Sequence, residues 1–213
     1  MNFKFRLLLF TFIIGTLSCK KKDDLPPTLI LKGDEKVIHI LNTVYNDEGA
    51  TATDETDGNI TSRIFIENQI DVDKVGEYTI TYHVTDEAGN EAKPITRLVS
   101  VYNQANVYGD FYNIKETNST DMCEYVSMVY ADSTHNFGLV IDGFACNSGH
   151  EVFVQINDTT VVLPYQILDD SLIGLSVTGS GFINDSVISI NYMVTVNDTV
   201  ELWNAVLKRQ TDE

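Results

Sequence analysis

The sequence predicts an all-β protein built from two small antiparallel domains. Val, Ile, Thr and Tyr, which favour strands, are abundant, and only four prolines and thirteen glycines are present. Apolar and polar residues alternate in short runs, which places successive side chains on opposite faces of a strand. Turn-forming residues separate these runs at a spacing typical of β-sandwiches and β-barrels.

A secretory signal occupies residues 1–18. Lys4 and Arg6 precede the apolar run 7–17, which has the length of a signal-peptide core and falls short of the ~20 residues that span a bilayer as a helix. The run ends in Leu-Ser-Cys and so resembles the lipobox of bacterial lipoproteins. That resemblance implies that Cys19 carries a lipid after cleavage. An ordinary secretory signal is the alternative.

A short charged tether, residues 19–27, follows the signal. Three lysines at 20–22 are followed at once by Asp23 and Asp24. This cluster resembles the surface-export signal of lipoproteins in the Bacteroides group. We therefore expect an outer-membrane protein that is anchored by its lipid and faces the cell exterior. A solvated charge run that merely extends the tether is the alternative.

The net charge narrows the choice of partners. The chain carries a formal charge of −17, and removal of the signal takes away two basic residues and no acidic one. Nucleic-acid binding needs clustered Lys and Arg to displace counterions, so nucleic acid is not expected as a partner. The expected membrane contact is the lipid anchor.

The first domain is predicted at residues 28–102, and its clearest strand is 76–85. Apolar and aromatic side chains alternate along that strand with Thr and His, as in a half-buried antiparallel strand. Residues 86–90 form a predicted turn, and 95–101 form the returning strand.

Five segments of this domain resemble a bacterial immunoglobulin-like (Ig-like) domain. They are Gly49–Asp54, Asp57–Thr61, Val75–Tyr82, Val84–Asp86 and Gly89-Asn90. The resemblance covers nearly the whole domain. It implies a seven-stranded β-sandwich that serves as a spacer or an adhesion module.

An acidic loop within this domain is a calcium candidate. Asp54 and Asp57 lie close together in the sequence, and Ca²⁺ prefers six to eight oxygen ligands. The loop is not an EF-hand, because Phe65 stands where that motif needs a bidentate Glu. Ordinary turn formation by Asp and Gly is the alternative, and no metal site is assigned.

The second domain is predicted at residues 106–209. Asn-Asp-Ser/Thr triplets separate several of its runs and favour tight hairpins between antiparallel neighbours. Eight runs are predicted as strands: 108–114, 122–130, 138–144, 152–156, 161–165, 172–177, 187–196 and 200–207.

Tyr108–Tyr112 and Gly179–Phe182 resemble segments of the lipocalin-like C-terminal domains of Bacteroides-group lipoproteins. The resemblance covers the second domain. It implies a small eight-stranded antiparallel barrel, or a flattened barrel, in agreement with the number of predicted strands.

Two cysteines remain if Cys19 carries the lipid. Cys123 and Cys146 then form an even pair in an oxidising compartment, and they are the disulfide candidate. Closing the loop between them contributes about 3 kcal/mol in the chain-entropy model. Two buried free thiols are the alternative.

Trp203 is the one tryptophan of the chain and the candidate ligand-binding residue. An exposed indole stacks on apolar faces such as those of sugar rings, whereas a buried one belongs to the barrel core. The pattern around Trp203 does not decide which face of its strand it occupies.

No catalytic motif is recognised, so the chain is expected not to be an enzyme and to need no cofactor. His150-Glu151 is not followed by the second His of a zinc protease, because Val154 stands there. Residues 179–181, Gly-Ser-Gly, match neither a nucleophile elbow nor a phosphate loop.

The leading functional hypothesis is a surface lipoprotein that holds a binding domain for an extracellular ligand, such as a glycan, on an Ig-like spacer. The first alternative is a structural or adhesion protein that contacts other proteins and has no small ligand. The second is a hydrolase that uses paired carboxylates.

Overall fold

The computed structural model describes residues 22–147, 149–169, 174–184 and 186–210. The predicted signal peptide and Cys19 lie outside these residues. The all-β prediction is confirmed, and none of the helices in the described ranges has the length and apolarity of a bilayer span. The strands are β1 Thr28–Leu31, β2 Lys36–Ile40, β3 Ala50–Asp54, β4 Gly58–Asn59, β5 Phe65–Asn68, β6 Gly76–His83, β7 Ile95–Tyr102, β8 Asp110–Thr117, β9 Met122–Ala131, β10 Gly138–Gly143, β11 His150–Asn157, β12 Thr160–Asp169, β13 Leu175–Ile183, β14 Val187–Val196 and β15 Thr199–Arg209.

The first seven strands form a β-sandwich. One sheet has the order β1-β3-β4 and the other β2-β7-β6-β5, with β2 parallel to β7 and the remaining pairs antiparallel. The alternation predicted for β6 is confirmed, because Ile80 and Tyr82 are buried while Glu77 and Thr79 are exposed. Its core consists of two separate small clusters around Ile80 and Ile60.

A buried arginine joins the loops of this sandwich to its core through an ion pair and hydrogen bonds. Arg97 is 1% exposed, and its guanidinium pairs with the carboxylate of Asp47. The same guanidinium donates to the Tyr82 hydroxyl at 3.3 Å, and to the carbonyl oxygens of Asp34 (2.9 Å) and Lys32. The charge is therefore paired and hydrogen-bonded, as burial requires.

The last eight strands form a closed antiparallel barrel. Each strand pairs with its neighbour in sequence, and β15 pairs with β8 to complete the circle. Closure leaves no free strand edge. The inward-facing side chains pack into one continuous core, which includes Tyr112, Leu139, Val154, Ile190 and Leu207. A packed core of this kind fills the barrel where the lipocalin-like resemblance would allow a ligand cavity.

The predicted strand 187–196 is confirmed, whereas the boundaries of the preceding strand were wrong. That strand was predicted at 172–177, but β13 runs from Leu175 to Ile183; Leu172 lies outside the described residues. Gly179 and Gly181 concealed the strand, because glycine is rare in strand interiors. A Cβ atom on Gly181 would lie only 1.7 Å from the Ser189 carbonyl oxygen, so glycine is required where β13 and β14 approach so closely.

The junction between the domains is built around Asn103, which is buried. Its side-chain oxygen accepts hydrogen bonds from the backbone N–H groups of Ala105 (2.8 Å) and Phe137 (2.9 Å). Its amide nitrogen, which carries two hydrogens, lies within hydrogen-bond distance of three carbonyl oxygens: Asp132 (2.7 Å) and His135 (2.9 Å) in the loop between β9 and β10, and Gly138 (3.1 Å) at the start of β10.

The loop between β9 and β10, residues 132–137, also contacts the sandwich directly. The backbone N–H of Val75 donates to the Ser133 carbonyl oxygen at 2.8 Å. Asn42 donates to the Thr134 carbonyl oxygen at 3.0 Å and accepts from the Asn136 N–H at 2.8 Å. We call this loop the junction loop. It lies at one end of the barrel, and the turn between β8 and β9 lies at the other, which we call the distal end.

Candidate functional site

A groove of about 480 Å³ lies on the outer surface of the barrel, across β13, β14, β15 and the end of β8. It is on the distal half of the barrel, away from the junction loop. The residues that line it are Thr117, Thr178, Gly179, Ser180, Asn191, Tyr192, Met193, Leu202, Trp203 and Asn204.

A polar row crosses the floor of the groove. Strand register places Ser180 opposite Asn191, Asn191 opposite Asn204, and Asn204 opposite Thr117. The side-chain nitrogen of Asn204 donates to the side-chain oxygen of Asn191 at 3.0 Å. Four strands thus present a continuous series of hydroxyl and amide groups to solvent.

An apolar row runs beside the polar row. Met193 lies opposite Leu202, and the two side chains are 41% and 71% exposed. Each stands two residues from an asparagine of the polar row on its own strand, and therefore on the same face of the sheet. The groove combines an exposed apolar strip with exposed hydrogen-bonding groups.

Gly179 lies beneath the groove, where the backbones of β13 and β14 come close together. A Cβ atom at this position would lie 2.4 Å from the carbonyl oxygen of Asn191. The Gly-Ser-Gly segment, which matched no catalytic motif, therefore belongs to a strand and allows two backbones to approach at the site.

The lining is uncharged at neutral pH, although the chain as a whole has a formal charge of −17. It contains no acidic or basic side chain. Tyr192 is its one titratable group, and burial together with the nearby Glu116 carboxylate raises the pKa of its hydroxyl, which therefore stays protonated. The groove consequently offers neither an ion-pair partner nor a carboxylate ligand for a metal.

Trp203 borders the groove but lies on the inner side of β15. It shares that side with Ala205 and Leu207, and it packs partly buried against the barrel core. Its indole N–H donates to the side chain of Glu201 at 3.0 Å. The structure thus decides the strand face that the sequence left open, and it places the tryptophan directly behind the exposed apolar strip.

The distal end of the barrel holds a fully buried carboxylate. Glu116 accepts hydrogen bonds from the backbone N–H groups of Ala145 (3.2 Å) and Cys146 and from the Tyr125 hydroxyl at 3.0 Å. Ala145 and Cys146 both have φ of 57°, a left-handed conformation in which successive N–H groups converge on an anion. Burial nevertheless raises the pKa of Glu116 above its ordinary value.

A disulfide and an aromatic side chain close the same end. Cys123 and Cys146 are joined, with Cα atoms 5.7 Å apart, in agreement with the cysteine count. The bond attaches the turn Phe144–Asn147 to β9. Phe144 is fully buried, and its ring centroid lies 4.7 Å from that of Tyr192. This turn therefore covers the end of the packed core.

The two carboxylates of the calcium candidate, Asp54 and Asp57, have different partners in the structure. The carboxylate of Asp54 lies with those of Asp23 and Asp86, whose oxygens are all within 4.8 Å of one another. Asp57 instead accepts hydrogen bonds from the Glu87 N–H (2.7 Å) and from Arg63 (3.3 Å). Asp54 also accepts from the N–H groups of the turn that follows it, as the alternative of turn formation expects.

Comparison with known families identifies the first domain. Residues 29–101 match the family model of the bacterial surface protein Ig-like domain. The protein thus consists of a bacterial surface Ig-like domain followed by an eight-stranded antiparallel barrel. Among curated proteins, no sequence matches this chain.

Three solved structures align with most of the chain. A lipoprotein of Bacteroides thetaiotaomicron is 19% identical, with a TM-score of 0.35, and the alignment covers 86% of this chain and 100% of that one. The CBM51-2 and INT domains of Clostridium perfringens ZmpB, solved with GlcNAc, are 17% identical with a TM-score of 0.30, covering 87% and 44%. A candidate outer membrane protein of Bacteroides fragilis is 11% identical with a TM-score of 0.37, covering 86% and 87%. At these scores no residue's role is transferred.

Proposed function

We propose that this chain is a non-catalytic lipoprotein of the bacterial cell surface whose barrel binds an uncharged extracellular glycan. The observation that carries the proposal is the uncharged groove on a strongly acidic chain. A neutral sugar matches such a lining, because its hydroxyl groups can bond to Ser180, Asn191 and Thr117 while its apolar C–H faces pack on Met193 and Leu202. An anionic ligand would meet the repulsive field of the whole protein.

The Ig-like domain acts in this proposal as a spacer. The junction loop is hydrogen-bonded to both domains, so the barrel is held in one orientation on the sandwich. The groove lies on the distal half of the barrel, and the residues that line it all belong to the barrel. A lipid on Cys19 would leave the groove open to large extracellular polymers.

Binding can be measured with the protein's own fluorophore. Trp203 is the one tryptophan of the chain and lies behind the groove. We expect neutral polysaccharides, added to the secreted chain without its lipid, to change the Trp203 emission and to give a matching isotherm by titration calorimetry. Screening amylose, xylan, cellulose oligosaccharides and chitin oligosaccharides identifies the polymer.

A charge placed in the apolar strip should abolish binding. Leu202→Asp removes an exposed contact and adds a charge that a neutral sugar cannot pair. Met122→Asp is the matched control, because Met122 is also exposed on the barrel surface but lies outside the groove. Absence of binding by every neutral polysaccharide, or equal loss in both variants, would refute the proposal.

The proposed location has its own test. Labelled palmitate should be incorporated into the wild-type chain and not into Cys19→Ala. Protease added to intact cells should release the barrel. Protection of the protein from protease in intact cells, with degradation after lysis, would place it on the inner side of the membrane.

A second candidate function, adhesion to other proteins, is favoured by the edge strand β5. This strand pairs only with β6 and exposes Phe65 and Ile66, and an exposed edge can pair with a further strand. In that case Phe65→Asp, rather than Leu202→Asp, would abolish attachment of cells that display the protein.

A further inference from the structure

The two asparagines in the groove make one hydrogen bond to each other, and their amides have donor and acceptor groups that this bond does not use. Asn204 uses its nitrogen and Asn191 its oxygen in their mutual bond. Among the described residues, neither the Asn191 nitrogen nor the Asn204 oxygen has a protein partner. Interchanging O and N in both amides leaves the same result, one amide NH2 group and one amide oxygen that the mutual bond does not use.

We infer that the groove recognises the acetamido group of an N-acetylated hexosamine. An acetamido group carries one N–H donor and one carbonyl acceptor on adjacent atoms, which complements the free acceptor and donor of the asparagine pair. This inference rests on the proposed glycan-binding function and specifies the sugar.

The apolar strip supplies the second half of the recognition. Met193 follows Asn191 by two residues, and Leu202 precedes Asn204 by two, so each apolar side chain adjoins an amide on the same outer face. The methyl group of an acetamido substituent would then lie on the Met193 and Leu202 side chains while its amide bonds to the asparagines. A plain sugar hydroxyl can also donate to one amide and accept from another, but it has no methyl group to bury on Met193 and Leu202.

The uncharged lining distinguishes acetylated from free amino sugars. A free hexosamine is a cation at neutral pH; the acidic chain attracts it at long range, but the groove lining has no carboxylate to pair with it in contact. The acetamido form is neutral and loses no ion pair on entering the groove. The groove therefore matches the acetylated sugar rather than its deacetylated counterpart.

Two matched ligand pairs test the inference on the full secreted chain. Chitotetraose and cellotetraose share one linkage and differ by acetamido against hydroxyl at each ring, and N-acetylgalactosamine and galactose differ in the same way. The buried methyl group, together with the better-matched amide hydrogen bonds, predicts that the acetamido member of a pair binds about tenfold to a hundredfold more tightly. Trp203 emission and calorimetry report the dissociation constants.

Substitution of the asparagines should remove the preference for the acetamido sugar. In Asn191→Ala/Asn204→Ala, the dissociation constants for the two members of a pair should converge, because the acetamido sugar loses more affinity than the hydroxyl sugar does. Asn113→Ala is the matched control, because Asn113 is an exposed asparagine of the barrel outside the groove. Thermal melts verify that each variant folds.

The possible outcomes distinguish the glycan-binding function from the preference for an acetamido group. Equal affinity for both members of each pair would overturn the acetamido inference and leave the glycan-binding function standing. A preference that survives in the double variant would also overturn it. Binding of none of these sugars, nor of any neutral polysaccharide, would overturn both.

Discussion

The Ig-like domain buries an arginine and its ion pair, whereas the interior of the barrel is mostly apolar and its distal end buries the carboxylate of Glu116. Arg97 lies on β7, an inner strand of its sheet, and holds Asp47 together with two loop carbonyl groups. Glu116 sits beneath a covering turn and is held by backbone N–H groups.

The difference follows from whether the sheets of each domain have open edges or close into a barrel. The sandwich is open at its edges and has two separate small clusters, so its long loops depend on polar bonds for a fixed position. The barrel closes on itself, pairs all its strands and accumulates one continuous core. Among the described residues, the buried polar side chains of the barrel strands are few: Glu116, Ser127 and Ser176. Four substitutions test this comparison, in order of decreasing expected effect.

Asp47→Ala should have the largest effect, because it leaves the Arg97 charge buried without its carboxylate. Breaking a buried pair in this way costs about 3–5 kcal/mol of unfolding free energy. Hydrogen exchange should accelerate throughout β6 and β7 while the Trp203 unfolding transition of the barrel stays in place. Lys115→Ala, which breaks the exposed pair with Glu124, is the control and should cost less than ~1 kcal/mol. Equal losses in the two variants would contradict the comparison.

Loss of the disulfide should destabilise the barrel and spare the sandwich. Cys123→Ser/Cys146→Ser releases a loop with a sequence separation of 23 residues, which corresponds to about 3 kcal/mol of unfolding free energy. Urea unfolding followed by Trp203 emission measures the loss. Dithiothreitol should shift the wild-type transition by a similar amount and leave the double variant unchanged. An unshifted wild-type transition would show that the bond contributes nothing.

Asn103→Ala should loosen the junction between the domains. The substitution removes the bonds that the Asn103 amide makes to the N–H groups of Ala105 and Phe137 and to the carbonyl oxygens of the junction loop, at a cost of about 1–3 kcal/mol. Small-angle scattering should then show a broader distribution of interdomain distances, and protease should cleave at 132–137. Asn113→Ala, on the barrel surface, should show neither change. A scattering profile identical to wild type would mean that other contacts fix the orientation.

Glu116→Gln should have the smallest effect, visible mainly as a change in pH dependence. Burial raises the pKa of Glu116, although hydrogen bonds from Cys146, Tyr125 and Ala145 lower it. The folded barrel therefore binds a proton more tightly than the unfolded chain, whose Glu has a pKa of about 4.3. The contribution of Glu116 to the unfolding free energy is fully present below its pKa in the unfolded chain. It is lost as pH rises through its pKa in the folded barrel.

The measured quantity is the unfolding free energy of Glu116→Gln minus that of wild type. Trp203 emission reports unfolding at each pH. This difference should rise with pH between the unfolded and folded pKa values of Glu116. For Glu124→Gln, on the exposed surface, the corresponding difference in unfolding free energy should not change with pH. A difference that falls with pH for Glu116→Gln would show that its carboxylate is stabilised as the anion.

Several features were predictable because their signals are local. The alternation along β14 assigned its inward residues, and the Asn and Asp turns marked the hairpins, where Asp158, Asn197 and Asp198 indeed adopt positive φ. The β13 strand was misplaced because its glycines contradict strand propensity, and only their distance to β14 explains them. The calcium candidate at Asp54 and Asp57 stays a prediction, and the proximity of Asp23 and Asp86 to Asp54 could not be predicted because these residues are remote from Asp54 in the sequence.

The sequence by itself determined the all-β class, the Ig-like domain, the number of barrel strands and the cysteine pair, since each depends on a short period, a motif or a count. The tertiary structure alone decided that the barrel is filled and closed at its distal end, that Trp203 lies on the inner face, and that Asn191 stands beside Asn204. These features depend on the register between strands and on barrel closure. Register is set by the packing of distant residues, so no local pattern encodes it.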